Sequence, residues 1–354
     1  MELQPHLMIK GRGTAINPAN RFVPIHYDVD DALPQEDLPS PRTRFFVDHS
    51  RSVISRNDSP DLHFRYTLNP YRGCEHGCIY CYARPTHEYY GLSSGLDFET
   101  QIMVKADVAR LLRKELMKPS WKGELINLAG NTDCYQPIER KLQLTRQCLE
   151  VMAEFRQTVE IVTKNHLVVR DIDLLSELAR HQATSVSISI TTLDDALAGK
   201  LEPRATRPPG RLDAVRELSQ AGIPVGILMA PVIPGLNDHE MPEILAAARQ
   251  AGAAFAGWIV LRLPYDIKDL FADWLQQHFP NSKDKVLNRI RDLRDGRLND
   301  PNFGTRMRGE GIWANLFQQQ FRIHKKRAGY PESVPPISTS AFRRPGYQQQ
   351  LMFE

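Results

Sequence analysis

Three of the chain's five cysteines, Cys74, Cys78 and Cys81, fall within eight residues as C-x3-C-x2-C. That spacing lets one short loop turn three thiolates toward a common point. Gly73 and Gly77 lack a Cβ and let the backbone bend tightly beside them. Thiolates are soft ligands suited to iron–sulfur clusters, zinc or Cu(I). A [4Fe–4S] cluster ligated wholly by protein takes four cysteines. A loop with three therefore suggests a cluster whose fourth iron is left for another ligand. The competing reading is a structural zinc site, with His63, His76, His87 or Cys134 as fourth ligand. Cys148 lies in a helical pattern and reads as a small buried hydrophobe. An odd cysteine count argues against disulfides, and residues 1–6 carry no apolar run that would mark a secretory leader.

Such a loop needs a frame. Hydrophobic patterning predicts strands over residues 64–68, 124–130, 159–164, 185–191, 224–229 and 257–263. Between them it predicts helices over 104–117, 138–155, 171–181, 209–221 and 240–251. This alternation is that of parallel strands joined by helical crossovers. In β/α barrels, chemistry gathers at the C-terminal ends of the strands. The unusual polar residues fall at those ends: Asn131, Thr132, Asp133 and Cys134 after the second strand, Lys164 after the third, Ser189 and Thr191 in the fourth, and Asn237 and Asp238 after the fifth.

Composition fits an ordinary globular protein, at 42% hydrophobic and 25% charged residues. No apolar stretch is long enough to span a membrane, and reduced cysteines point to the cytoplasm. The net charge of +3 is unevenly spread. Residues 281–354 hold 14 Lys and Arg against 7 Asp and Glu, or +7, which leaves −4 for the preceding 280. A basic C-terminal segment fits a polyanionic partner such as nucleic acid, or simply a solvated helical face.

With Tyr80 just before its last cysteine, the loop resembles the radical S-adenosylmethionine (SAM) superfamily. The Thr132-Asp133-Cys134-Tyr135-Gln136-Pro137 run, Thr163-Lys164, Leu201-Glu202-Pro203-Arg204 and the 230–238 segment are similar to its spore photoproduct lyase-like branch, over roughly 62–265. The resemblance implies an incomplete (β/α)6 TIM-type barrel over 61–265. A largely irregular extension over 1–60, a helical basic region over 266–329 and a disordered tail over 330–354 complete the expected chain. It implies a [4Fe–4S] cluster on Cys74, Cys78 and Cys81. The fourth iron chelates SAM, which is cleaved reductively to a 5′-deoxyadenosyl radical. It implies that Lys164 and Ser189 hold the SAM carboxylate or amino group and that Tyr80 lies against adenine. Asn131, Thr132 and Glu202 become supporting or ribose contacts, and Cys134 a hydrogen donor. An electron donor such as flavodoxin or ferredoxin is a further expected partner.

The branch implies a nucleic-acid substrate, with a protein or small-molecule substrate as the alternative and a zinc-stapled, non-catalytic binding module as the rival of another class. One departure bears on the lyase reaction itself. Members of that branch place a donor cysteine directly after the second strand, where this chain has Gly130 and Asn131 and brings Cys134 slightly later. The end of the chain, Gln349-Gln350-Leu351-Met352-Phe353, resembles short peptides that bind bacterial sliding clamps.

Overall fold

Short runs rich in Val, Ile and Leu suit strands buried on both faces of a parallel sheet. The computed structural model describes residues 9–23 and 42–346. Its strands are β1 (Arg44–Val47), β2 (Ile54–Arg56), β3 (Tyr66–Leu68), β4 (Tyr71–Arg72), β5 (Gln101–Val104), β6 (Ile126–Leu128), β7 (Val159–Thr163), β8 (Thr184–Ser189), β9 (Val225–Val232) and β10 (Phe255–Val260). Six of them, β3, β6, β7, β8, β9 and β10, lie side by side in chain order, every neighbouring pair parallel. Helices cross over between them, so this is the incomplete (β/α)6 barrel that the sequence predicts. β2 adds one antiparallel strand at the β3 edge.

β1, β5 and β4 form a separate small sheet. The expectation of a largely irregular extension before residue 60 therefore needs correcting for β1 and β2. The small sheet aims the cysteine loop, which leaves directly from β4. Gly73 and Gly77 both have positive φ, 78° and 67°. A Cβ on Gly77 would meet Glu99 Oε2 at 2.6 Å, and one on Gly13 would meet the Gly77 carbonyl oxygen at 1.9 Å. Only glycines allow this approach, so residues 9–23 lie directly on the loop.

The predicted helix over 138–155 is two helices, Glu139–Leu142 and Leu144–Phe155, separated by Gln143 at φ 53°. Glu139 is the reason. Its buried carboxylate accepts from the Thr145 backbone NH (3.1 Å) and from Tyr71 Oη (2.5 Å), so it caps the second helix while bracing β4.

The region after 266 is continuous with the barrel. Ile79 and Tyr80 of the cysteine loop pack in one cluster with Leu263, Phe271, Trp274 and Ile290. The terminal helix Gly311–Arg327 sends Phe317 into the barrel-wall core. The tail also departs from expectation, because residues 330–346 are tied down. Tyr330 is buried and its hydroxyl donates to the Leu245 carbonyl. The Ser338 carbonyl accepts from Thr158 Oγ1 at 2.7 Å, and Arg344 reaches the Leu116 and Lys118 carbonyls. Hydrogen bonds to helix carbonyls and to Thr158, just before β7, hold what composition alone makes a linker. The clamp-like peptide at 349–353 lies outside the described residues.

Candidate active site

The cysteine loop is braced from behind. Cys74 and Cys78 are buried and Cys81 is partly so. Arg84, fully buried, donates to the carbonyls of Cys78 (2.9 Å) and Gly95 (2.8 Å) and pairs with Glu99 at 2.5 Å. The second Glu99 oxygen accepts the Gly13 backbone NH at 2.9 Å. Gln136 clamps the loop from the other side. Its Nε2 donates to the Gly73 carbonyl and its Oε1 accepts from the Glu75 NH. Burial, reinforced by the Asp133 charge and by the other two cysteines, pushes the Cys74 thiol well up; burial also raises Cys78 and Cys81. Without a cation these are neutral thiols. A bound metal deprotonates such a thiol outright.

The donor set fits an iron–sulfur cluster better than a zinc ion. Of the candidate fourth zinc ligands, His63, His76 and Cys134 are engaged elsewhere, while His87 keeps a buried Nδ1 without a partner among the described residues. His63 pairs with Glu160 at 2.5 Å. His76 lies between Asp133 (3.4 Å) and Asn165. His87 Nε2 reaches the Gln101 carbonyl. Cys134 is in the barrel-wall core. Among the described residues no three such side chains converge on one ion. A four-iron cluster spreads its thiolates more widely than a tetrahedral zinc does.

Opposite the loop, the ends of β7, β8 and β9 build a network on Glu202. Its Oε1 accepts from Tyr80 Oη and from Thr191 Oγ1 (2.6 Å), and its Oε2 pairs with Arg211. Lys164 Nζ stands 3.7 Å away. Burial opposes the Glu202 charge, but Arg211 and Lys164 hold its carboxyl down at about 2. Lys164 Nζ also donates to Ser189 Oγ (2.5 Å) and to the Ala230 carbonyl (3.3 Å), and lies 5.9 Å from the centroid of the Tyr80 ring. Beside it, Asp133 takes the Thr163 hydroxyl (2.7 Å) and the Lys164 NH (2.8 Å). Burial opposes this charge as well, yet His76 and those donors hold its carboxyl at about 2.

The structure thus brings the three cysteines, Tyr80, Lys164, Ser189 and Glu202 to one mouth and sorts their capacities. Asn131 is exposed, and Lys164 keeps 15% of its side chain exposed. Of the two expected roles for Glu202, a supporting or a ribose contact, its buried and fully engaged carboxylate fits the supporting one, as a brace for Tyr80 and Lys164. Ser189 spends its hydroxyl on Lys164 and Ala230. Thr132 donates to the Tyr71 carbonyl at 2.9 Å. Both act through their neighbours. Cys134, expected as a hydrogen donor, stands away from the mouth. It is fully buried among barrel-wall residues, where burial and the Asp133 and Glu139 charges raise its thiol. A hydrogen donor must meet the substrate radical, and this thiol faces the core.

Sequence reasoning missed Arg211, Asn69 and Glu99. Arg211 carried a signal, since it occupies the apolar stripe Arg211, Ala214, Val215 and Leu218 of the helix Pro208–Gln220. A charge at a core position announces a buried partner. Asn69 Oδ1 accepts the NH groups of Asn131 and Thr132, holding the loop after β6. Nothing local in the sequence announces that contact. The surface grooves between outer helices, such as that lined by Pro242, Glu243, His324 and Arg327, lie apart from this site.

A partial parallel barrel with three cysteines at its C-terminal mouth, facing a lysine and a buried carboxylate, has the layout of a barrel enzyme with a thiolate-lined site. The family model of the Radical SAM superfamily matches residues 68–248, and the chain belongs to that superfamily. An uncharacterized protein of Mycobacterium tuberculosis is 36% identical over 250 residues, covering 70% of this chain and 72% of that one. A radical SAM Nα-GlyT isomerase of Pseudomonas phage M6 is 28% identical over 172 residues, covering 48% and 34%. Among solved structures, spore photoproduct lyase complexed with dinucleoside spore photoproduct matches with a TM-score of 0.57 at 18% identity, covering 80% of this chain and 79% of that one. The likeness is one of fold.

Proposed function

We propose that the chain is a radical SAM enzyme acting on nucleic acid, with Cys74, Cys78 and Cys81 as the ligands of a [4Fe–4S] cluster. The observation that carries the chemistry is the meeting of those thiols with Lys164 and the Glu202 network at one barrel mouth. When bound, the cluster would supply the electron that cleaves SAM and frees the 5′-deoxyadenosyl radical. The protein's own work is positional. Arg84, Glu99 and Gln136 fix the loop. Glu202 and Arg211 fix Tyr80 and Lys164. Lys164 offers its cationic end to the SAM carboxylate, and Tyr80 a rigid ring edge to its adenine. Flavodoxin or ferredoxin is the kind of partner that would deliver the electron, and the cytoplasm the compartment.

The substrate class rests on the rim. Exposed aromatics there are interleaved with arginines: Arg262 lies over Tyr82 (5.3 Å), Arg306 over Phe303 (4.4 Å) and Arg21 over Tyr265 (3.6 Å). Alternating ring faces and cations are how proteins hold unpaired bases and their phosphates. The fold likeness to a lyase whose structure contains a dinucleoside photoproduct supports the same class. The test is anaerobic incubation of the reduced, reconstituted protein with SAM and single- or double-stranded oligonucleotides. The expected result is 5′-deoxyadenosine formation stimulated by an oligonucleotide. Stimulation by peptides or small metabolites alone would move the substrate out of this class.

A further inference from the structure

The open seam of the partial barrel, between β10 and β2, is bridged by the turn-rich loop of residues 299–311. On one side the Met307 carbonyl accepts the Val260 NH at 3.0 Å. On the other, Asp61 Oδ1 accepts the Gly304 NH (2.6 Å), and Asp61 Oδ2 pairs with Arg306 at 2.5 Å. Two further arginines meet this strap where β10 ends. Arg294 is 97% buried, its exposure being only 3%. Its Nη2 donates to the carbonyls of Leu261 (2.5 Å) and Arg306 (3.2 Å). Its Nε and Nη1 have no partner among the described residues, nor does the buried Nε of Arg262. Arg262 Nη1 meets only the weak acceptor Met307 Sδ, at 3.9 Å.

The nearby carboxylates are already used. Asp61 serves Arg306, and Asp300 accepts from Thr305 Oγ1 and the Asn302 NH. Arg262, Arg294 and Arg306 against Asp61 and Asp300 leave one uncompensated positive charge, with buried donors that bond to nothing. Buried donors without acceptors are costly, and a guanidinium fork matches a phosphate better than a carbonyl does. Arg262 also lies over the ring of Tyr82, which directly follows Cys81.

We infer that Arg262, backed by Arg294 and framed by the 299–311 strap, binds a backbone phosphate of the strand whose nucleotide enters the mouth. This deepens the nucleic-acid reading and rests on it. The phosphate is gripped beside Tyr82, so the neighbouring nucleotide is directed toward the cysteine loop. The cationic run His324-Lys325-Lys326-Arg327, the most basic stretch of sequence, lies on the outer helix and takes no part.

The test measures binding of a labelled single-stranded oligodeoxynucleotide to the reconstituted protein by anisotropy across a salt series. Arg262→Gln should weaken binding about tenfold and reduce the slope of log affinity against log salt by about 0.7, one phosphate's worth. Arg262→Lys should recover part of the slope, and thermal melting of both variants should coincide with that of the parent. A methylphosphonate oligonucleotide, which lacks the charge, should abolish the difference between parent and Arg262→Gln. An unchanged slope in Arg262→Gln overturns the site. So does an equal loss in a Lys325→Gln, Lys326→Gln control. Absence of any oligonucleotide binding by the parent at about 100 µM, the weak end of ordinary non-specific binding, would instead sink the nucleic-acid reading itself. Thymidine 5′-monophosphate, competing as well as the oligonucleotide does in an Arg262-dependent way, would uphold the phosphate site but overturn the strand.

Discussion

The two sides of the barrel mouth treat buried charge in opposite ways. Around Glu202 every charge is answered: Arg211, Lys164, Tyr80 and Thr191 converge on one carboxylate. Around Arg262 and Arg294 several buried donors have no partner among the described residues. A saturated carboxylate cannot hold a ligand directly, but it can fix the geometry of the groups around it, Lys164 and Tyr80, that would. An unsaturated network holds no fixed geometry for its neighbours, yet has free energy to gain from a ligand. The contrast separates framework from binding surface inside one cleft.

The largest way to break this picture lies in the cysteine loop. Cys78→Ala, like Cys74→Ala or Cys81→Ala, should lose cluster iron and reduce SAM cleavage to background, read from iron content and 5′-deoxyadenosine. Cys148→Ala should do neither, since that thiol is fully buried in the barrel wall. Next comes the framework side. Arg211→Met strands a buried carboxylate and should cost about 3–5 kcal/mol in denaturant unfolding, with weakened SAM binding. Arg262→Gln should shift stability by less than about 0.5 kcal/mol. Equal stability losses from the two changes would erase the distinction.

A smaller effect concerns acid. His87 is buried against Phe98, and burial lowers its imidazole to about 4. Between the ordinary His value and about 4, the unfolded chain takes a proton that the folded chain refuses. Stability is therefore lost as pH falls from about 6.5 toward 4. His87→Phe should flatten that slope by up to about 1.4 kcal/mol per pH unit, measured by melting across the pH series. An unchanged slope would mean that His87 charges freely. The smallest effect belongs to Cys134→Ala. As a core change it should cost about 1 kcal/mol and leave the ratio of product to 5′-deoxyadenosine untouched. A changed ratio would restore Cys134 as a hydrogen donor.

What the sequence made legible was local. Cys74, Cys78 and Cys81 announce themselves by spacing, the six parallel strands by apolar runs, and Lys164 by its place at a strand end. What it hid depends on partners far apart in the chain. Glu202 and Arg204 stand close together in the sequence, but Arg204 pairs with Glu75 at 3.0 Å and Glu202 with Arg211. The 330–346 segment has a linker's composition and is tied by hydrogen bonds to Leu245, Thr158 and Leu116, residues far away in the chain. Cys134 sits one residue from Asp133, which reaches the site, yet its thiol turns into the wall. Sequence places it at the rim, and only packing assigns its face.

The central claim is that Cys74, Cys78 and Cys81 hold a SAM-cleaving cluster. The most direct measurement is metal and sulfide content of anaerobically purified protein, with 5′-deoxyadenosine formation after reduction in the presence of SAM. The protein should carry about four iron and four sulfide per chain and form 5′-deoxyadenosine that disappears in Cys78→Ala. Stoichiometric zinc without iron, or full SAM cleavage by Cys78→Ala, would contradict that claim.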